Sequence, residues 1–228
     1  MTFSKSEHTF KRFDIEIQQL IDLVMAMGRE VEQQVRRAVA AFREGDADAA
    51  QAVIAGDAEV NRLDMEIDRG CVRLLGRRQP MSTDLRLVMA LNKAVNDLER
   101  IGDEAKTIAE KTLAIHARGE YPAARISSAV DRLAPIACER MQSALDSLAR
   151  LDADQAWLLA RTDPVEDAFQ DILRALGAYA IDGEWTVATV IDMALALKAL
   201  QRVADRAQNL AEYVIFVVEG RDVRHKTQ

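Results

Sequence analysis

Two segments of the sequence share one pattern, LERIGDEAKTIAE at residues 98–110 and LQRVADRAQNLAE at residues 200–212. At a shift of 102 positions they agree in leucine, arginine, aspartate, two alanines and glutamate. Their apolar residues recur at spacings of three and four, which is the period of an amphipathic α-helix. This period continues through almost the whole chain, which has only four prolines and ten glycines. No segment alternates as a β-strand would, and we therefore predict an all-α fold.

The similarity extends beyond these two segments. A shift of 106 positions aligns Asp57 with Asp163 and the tripeptide Asp-Ala-Asp at residues 46–48 with that at residues 152–154. The same shift aligns three apolar pairs: Val35 with Met141, Val39 with Leu145 and Phe42 with Leu148. Alanine-rich helices match at apolar positions by chance, but chance does not also align their caps and breaks. The agreement in order and spacing indicates an internal duplication.

We predict two tandem three-helix bundles, residues 1–120 and 121–228, related by a pseudo-twofold internal repeat. In each half the second helix is expected in two pieces, because Gly56 before Asp57 and Asp163 before Pro164 each offer a break and a new N-cap. The third helix of the first half is expected to take its N-cap from the segment at residues 82–84. Its inner stripe is predicted to be Leu85, Val88, Leu91, Val95, Leu98, Ile101, Ala105 and Ile108.

Charge and hydropathy exclude several functions. The chain has 37 acidic and 30 basic side chains, a net charge of -7, which is the wrong sign for binding a nucleic-acid backbone. No apolar run approaches the roughly 20 residues that span a bilayer, and the first residues lack the apolar core of a signal peptide. We therefore expect a cytoplasmic protein. Cys71 and Cys138 have no Cys-x-x-Cys spacing and are expected to be reduced core thiols.

Catalytic signatures are missing from the sequence. A di-iron carboxylate site on a helical bundle needs Glu-x-x-His pairs, and none of His8, His116 and His225 follows a glutamate by three positions. No serine or cysteine lies in a strand-turn-helix elbow, and no glycine-rich phosphate loop is present. We predict that the protein is not an enzyme. A purely structural helical scaffold stays open as an alternative.

Polar residues recur at every fourth position of both predicted third helices, and residues so spaced share one helix face. They are Glu99, Asp103 and Thr107 in the first half and Gln201, Asp205 and Asn209 in the second. Oxygen ligands suit a hard or borderline divalent cation, but spacing alone is explained as well by a solvated face with surface ion pairs. Asp103 and Asp205 coincide under the repeat, and each lies beside apolar residues. A carboxylate at the edge of a core needs a partner.

The chain resembles the PhoU family of phosphate-uptake regulators. The family shows, once per half, Glu-x-x-x-Asp-x-x-x-Asn inside a phrase similar to LERIGDEAKTIAE, the sequence of residues 98–110. Residues 79–100, QPMSTDLRLVMALNKAVNDLER, and residues 57–68, DAEVNRLDMEID, also look like the family's third and second helices. The resemblance covers essentially the whole chain. Thr107 and Gln201 depart from the pattern, and Gln201 lowers the negative charge of the second copy.

This resemblance implies a cytoplasmic negative regulator of phosphate uptake and of the phosphate-starvation two-component response. The implied partners are a sensor histidine kinase and the nucleotide-binding subunit of a phosphate ABC transporter, and the implied assembly is a homodimer. Some relatives hold metal ions on their acidic faces. The resemblance therefore makes Glu99, Asp103, Asp205 and Asn209 the candidate ligands of a divalent or iron-type metal ion. The alternatives are a metal-binding helical scaffold, or a paralogue that serves another transporter or a stress response.

Overall fold

The computed structural model describes residues 4–119, 121, 123–181 and 185–223. Within these residues it contains seven α-helices and no β-strand, which confirms the all-α class. The first half contributes α1 (Ser4–Glu44), α2 (Ala47–Arg78) and α3 (Ser82–Ala117). The second half contributes α4 (Ala123–Arg150), α5 (Ala153–Arg161), α6 (Pro164–Ile181) and α7 (Val187–Glu219). Since α5 and α6 together correspond to α2, each half is a three-helix unit, as predicted.

Each half buries the apolar stripes of its own helices, and the two halves share one continuous core. In the first half α1, α2 and α3 contact one another, and in the second half α4, α5 and α6 all pack against α7. The halves meet where α1 contacts α4 and where α3 contacts α7. Fully covered side chains of this core include Met27, Ile67, Leu91, Leu98, Ile101, Ile108, Leu133, Met141 and Leu197. Both cysteines are buried free thiols, in agreement with the sequence interpretation.

The predicted break in the second helix is wrong in the first half and confirmed in the second. Helix α2 runs without interruption through Gly56 and Asp57, whereas Asp163 separates α5 from α6. The aligned sequences differ at the next residue, which is Ala58 in one half and Pro164 in the other. Proline lacks a backbone N–H and disfavours helical geometry in the residue before it. Proline, not the preceding pair of residues, therefore produces the break.

Aspartate side chains cap the helices at aligned positions in the two halves. Asp46 accepts a hydrogen bond from the backbone N–H of Ala49 at 2.9 Å, and Asp152 accepts one from that of Gln155 at 3.0 Å. Such caps satisfy helix donors that have no intrahelical partner. The cap predicted for α3 is wrong, because this helix begins at Ser82 and its N-cap residue, Met81, makes no side-chain cap hydrogen bond.

One residue of the predicted stripe on α3 lies outside the core. Leu85 is 40% exposed, whereas the other seven members of the stripe are buried. Leu85 belongs to the first turn of α3, one turn before Val88, where burial begins. The apolar period therefore extends about one turn beyond the part of the helix that is covered by neighbours.

Candidate functional site

The two third helices, α3 and α7, lie antiparallel and form the largest contact between the halves. Near the start of α3, Arg86 Nε donates to the carbonyl oxygen of Val217, near the end of α7, at 3.3 Å. Toward the end of α3, Lys111 Nζ lies 3.2 Å from Asp192 Oδ1, near the start of α7. The predicted site residues are all carried by this central pair, so the register of the pair decides which of them meet.

Glu99 faces the second helix of its own half, and Asp103 lies one turn further along α3 at an exposed position. Glu99 is partly buried, and burial and the negative charges of Asp103, Asp64 and Asp57 raise its pKa. Asp57 Oδ2 lies 3.5 Å from Lys106 Nζ. We call Asp57, Asp64, Glu99 and Asp103 the first acidic group, because the charges of the other three carboxylates act on Glu99. Lys106 supplies one positive charge beside Asp57, and the remaining negative charge favours a cation.

Asp205 occupies the corresponding place in the second half, where it faces α6. Asp205 is an exposed residue, but partial burial of its carboxylate, followed by the charge of Asp163, raises its pKa, and Glu166 acts in the same direction. Lys198 and Arg140 oppose this shift. We call Asp163, Glu166 and Asp205 the second acidic group. The structure therefore places Asp103 and Asp205 at matching positions of the repeat but does not bring them into one cluster.

Asn209 takes no part in either acidic group. Its side-chain N–H donates to the two carboxylate oxygens of Asp97 at 3.3 and 3.4 Å, across the contact between α3 and α7. Asp97 also accepts hydrogen bonds from Tyr213 Oη at 2.7 Å and from Arg206 Nη1 at 3.1 Å. Asp97 is only 6% exposed, and its charge is compensated by these donors. Asn209 thus contributes to the junction of the halves.

Further buried carboxylates hold this junction, and the sequence interpretation missed them. Glu104 Oε1 lies 3.6 Å from Arg202 Nη1 and 4.0 Å from Arg206 Nη2. Burial raises the pKa of Glu104, and the two arginines oppose that shift. Asp192 pairs with Arg118 at 2.6 Å in addition to Lys111.

The spacing of these residues is a signal that was available in the sequence. Asp97, Glu104, Lys111 and Arg118 follow one another at intervals of seven. Seven residues are close to two helical turns, so the four side chains share one face. The sequence alone does not tell which helix covers this face.

The donor chemistry of the two acidic groups fits a metal ion unequally. In the described part of the chain, no three His, Cys, Asp or Glu side chains converge closely enough to hold a metal ion as placed. A cation in the first half would therefore have to draw the first acidic group together. In the second half a buried guanidinium, that of Arg140, donates to Thr162, the residue before Asp163, and its positive charge acts on Asp163 and Asp205.

These features define a class, an all-helical protein with an internal duplication and a charge-paired junction between its halves. The model of the PhoU domain matches residues 24–112 and again residues 130–214. The chain belongs to the PhoU family. This is a family of non-enzymatic accessory proteins, which agrees with the missing catalytic signatures, and the chain is not an enzyme.

Individual relatives agree with this assignment. The chain is 38% identical over 223 residues to the phosphate-specific transport system accessory protein PhoU homolog of Pseudomonas aeruginosa, covering 97% of this chain and 91% of the relative. It is 34% identical to the protein PhoU of Escherichia coli, with 96% and 90% covered. The crystal structure of PhoU from Pseudomonas aeruginosa superposes with a TM-score of 0.84 at 37% identity, covering 92% of this chain and all of that one. Among the helices within the described residues, none is long and apolar enough to cross a membrane.

Proposed function

We propose that the protein is an accessory protein of a phosphate-specific transport system and a negative regulator of the phosphate-starvation response. The observation that supports this proposal is the similarity along nearly the whole chain to relatives that carry the name of that transport system. The partners that we propose are a sensor histidine kinase and the nucleotide-binding subunit of a phosphate ABC transporter. The protein acts by docking and performs no signalling chemistry of its own.

The junction between the halves supports docking as the mode of action. Three buried carboxylates, Asp97, Glu104 and Asp192, are each paired with cations across α3 and α7, so the halves have a defined relative orientation. A partner therefore meets a surface whose shape is fixed in advance, which lowers the entropic cost of binding. Docking on the kinase selects its inactive arrangement if affinity for that arrangement is higher than for the active one.

Two exposed apolar rows supply area for such contacts. Leu85 and Met89, near the start of α3, are each 40% exposed. The shift of 102 positions aligns them with Val187 and Ile191, near the start of α7, which are 64% and 52% exposed. Because α3 and α7 are antiparallel, the two rows lie toward opposite ends of the central helix pair. In our proposal these rows contact the kinase and the transporter subunit.

The regulatory proposal predicts that deletion of the gene activates phosphate-starvation genes in phosphate-rich medium, at least about tenfold in a reporter assay. The wild-type chain should restore repression and recover the kinase or the transporter subunit in a pull-down.

Replacing Leu85 and Met89 together by aspartate should weaken that recovery, because it places two charges in an apolar contact. Asn96→Asp, on an exposed position of the same helix, is the matched control. Silent reporter genes after deletion, with neither partner recovered, would refute the proposal.

We further propose that the first acidic group binds a divalent cation. Glu99 and Asp103 from α3, with Asp57 and Asp64 from α2, are the residues that would hold it, and carboxylate ligands suit Mg²⁺, Ca²⁺ and Mn²⁺. When bound, the ion would neutralise the mutual repulsion of these carboxylates and join α2 to α3. We do not extend this proposal to Asp205 or Asn209, since the former lies beside Arg140 and the latter binds Asp97.

Asp103→Ala is expected to weaken Mn²⁺ binding by at least about tenfold, the lower limit for loss of a residue that merely supports a ligand. Titration calorimetry and elemental analysis of the purified protein measure this change. Glu110→Ala, at an exposed carboxylate of the same helix, should bind as the wild type does. Equal metal content in the three proteins would leave the first acidic group as a solvated, ion-paired surface.

Two alternatives are separated by the same experiments. A metal-binding scaffold without a regulatory role would bind Mn²⁺ and leave the reporter genes silent. A paralogue that serves another transporter or a stress response would recover neither of the two proposed partners but would recover a different membrane complex. The proposed homodimer is tested by sedimentation analysis of the full chain.

A further inference from the structure

Arg140 is a buried charge on α4 that the proposed function does not use. The side chain is 6% exposed. Its Nη2 donates to the carbonyl oxygen of Leu159 and to Gln208 Oε1, both at 3.1 Å, and its Nη1 donates to Thr162 Oγ1 at 3.4 Å. Its Nε has no acceptor among the described residues. Burying a guanidinium with an unsatisfied donor is costly, so a compensating interaction must hold it there.

The internal repeat shows which residue has this place in the first half. The shift of 106 positions aligns Arg140 with Gln34, and it aligns Thr162 with Gly56. Gln34 is also buried, and its Nε2 donates to the carbonyl oxygen of Gly56 at 3.0 Å. Both residues therefore make the same connection from the first helix of their half to its second helix. The connection is neutral in the first half and positively charged in the second.

The surrounding carboxylates differ in the same direction. Asp57 and Asp103 of the first acidic group have aligned partners in the second half, namely Asp163 and Asp205. The other two members have been replaced by neutral amides, since Asp64 aligns with Gln170 and Glu99 aligns with Gln201. At the aligned positions the first half therefore has four carboxylates and the second half has two. The buried neutral residue Gln34 of the first half corresponds to Arg140 in the second half.

The one additional carboxylate of the second group, Glu166, is occupied by hydrogen bonds. Its two oxygens accept hydrogen bonds from the side chains of Gln170 and Gln201, the two amides that replaced carboxylates. Gln201 in turn accepts a hydrogen bond from Lys198 Nζ at 2.6 Å. Asp163 Oδ1 accepts hydrogen bonds from the backbone N–H groups of Val165 and Glu166 at 3.3 and 3.4 Å. Few carboxylate oxygens of the second acidic group therefore remain for an added ion.

We propose that the Arg140 guanidinium is the resident counter-ion of the second acidic group, and that it keeps divalent cations out of this half. The hydrogen bonds of Arg140 to Thr162 and Gln208 place the guanidinium beside the segments that carry Asp163 and Asp205. The attraction of these two carboxylates opposes part of the cost of burying the guanidinium. A divalent cation placed beside these carboxylates would meet a fixed positive charge and too few free ligands. This inference goes beyond the regulatory function and does not depend on whether the first half binds metal.

The pairing of Arg140 with the second acidic group is tested by a double-mutant cycle in chelator, which removes metal from both halves. Arg140→Gln should lower Tm, and the fall should be smaller in a background of Asp205→Asn, because one of the two charges that Arg140 compensates is then gone. Arg140→Lys keeps the charge and should retain most of the coupling, which provides a folded variant if Arg140→Gln is unstable. Arg132→Gln, at a surface arginine of the same helix that lies 3.6 Å from Asp171, should show no coupling to Asp205. Additive changes in Tm for Arg140 and Asp205 would overturn the proposal.

Exclusion of metal is tested with Mn²⁺ on the full chain. Asp205→Asn should bind the same number of Mn²⁺ ions as the wild type, whatever that number is, because the second half contributes none. Loss of an ion in Asp205→Asn would overturn the proposal. Added Mn²⁺ should also raise the Tm of Arg140→Gln more than that of the wild type, since the variant exposes uncompensated carboxylates to the ion. An equal rise in the two proteins would count against the assigned role of Arg140.

Discussion

Asp97→Ala is expected to lower the free energy of unfolding by about 3 to 5 kcal/mol, the range found when one partner of a buried ion pair is removed. Asp97 is 6% exposed and accepts hydrogen bonds from Arg206, Asn209 and Tyr213. Its removal leaves the Arg206 guanidinium without its nearest carboxylate, because Glu104 is 4.0 Å away. All three donors belong to the other half of the molecule. The stability lost in this variant is therefore stability of the contact between the two halves.

Urea denaturation at fixed temperature measures this loss, with the slope checked to confirm that the transition remains two-state. Glu110→Ala, at an exposed carboxylate of the same helix, should change the free energy of unfolding by no more than about 0.5 kcal/mol. The double variant Asp97→Ala with Arg206→Met should lose less than the sum of the single variants, because no uncompensated charge remains buried. Additive losses would show that the pair does not act as a unit.

Ala58→Pro is expected to cost about 3 kcal/mol, the usual effect of proline inside a helix. Ala58 is exposed and lies within the continuous helix α2, so the substitution acts on the backbone and leaves the core unchanged. The loss should be confined to the region around residues 54–58, where the backbone hydrogen bond of Ala58 is lost and the ring displaces the preceding turn. The variant should still fold, since the second half accommodates Pro164 at the aligned position.

Hydrogen exchange of the amides in α2 reports where the helix opens, and urea denaturation reports how much stability is lost. Ala58→Glu keeps the backbone N–H and retains good helix propensity, so it should cost no more than about 0.5 kcal/mol. Equal stability of the proline and glutamate variants would show that α2 does not need to be continuous at this point. Pro164 would then no longer explain why the second helix is continuous in the first half and divided in the second.

The prediction of helices from the sequence succeeded where the signal was local. The period of three and four gave the inner stripe of α3, in which seven of the eight predicted residues are buried. Asp46 and Asp152, which the repeat aligns, both cap their helices. The prediction of a helix break at Gly56 was wrong, because glycine and aspartate permit a helix to end but do not force it to do so. Proline forces the end, and Pro164 is present in only one half.

The prediction of the site placed its aspartates on matching helices of the two halves but did not give their neighbours in space. Asp103 and Asp205 do lie on matching helices, as the alignment indicated. Their surroundings differ, since Glu99, one turn before Asp103, has carboxylates of α2 nearby, whereas the positive charges of Lys198 and Arg140 act on Asp205. Arg140 lies 65 positions before Asp205 in the chain, so no local pattern joined the two. Whether Glu99, Asp103, Asp205 and Asn209 bind metal stays a prediction.

The sequence by itself determined the helical class, the duplication and the family, because periodicity, helix caps and repeated phrases are written along the chain. Only the tertiary structure decided that Asn209 binds Asp97 and that Arg140 is buried against Thr162 and Gln208, beside the segments that carry the second acidic group. These pairings depend on the antiparallel register of α3 and α7 and on the contact between α4 and the helices around it. A charge is compensated by whatever lies within a few ångströms in space, and that distance is set by how the helices pack.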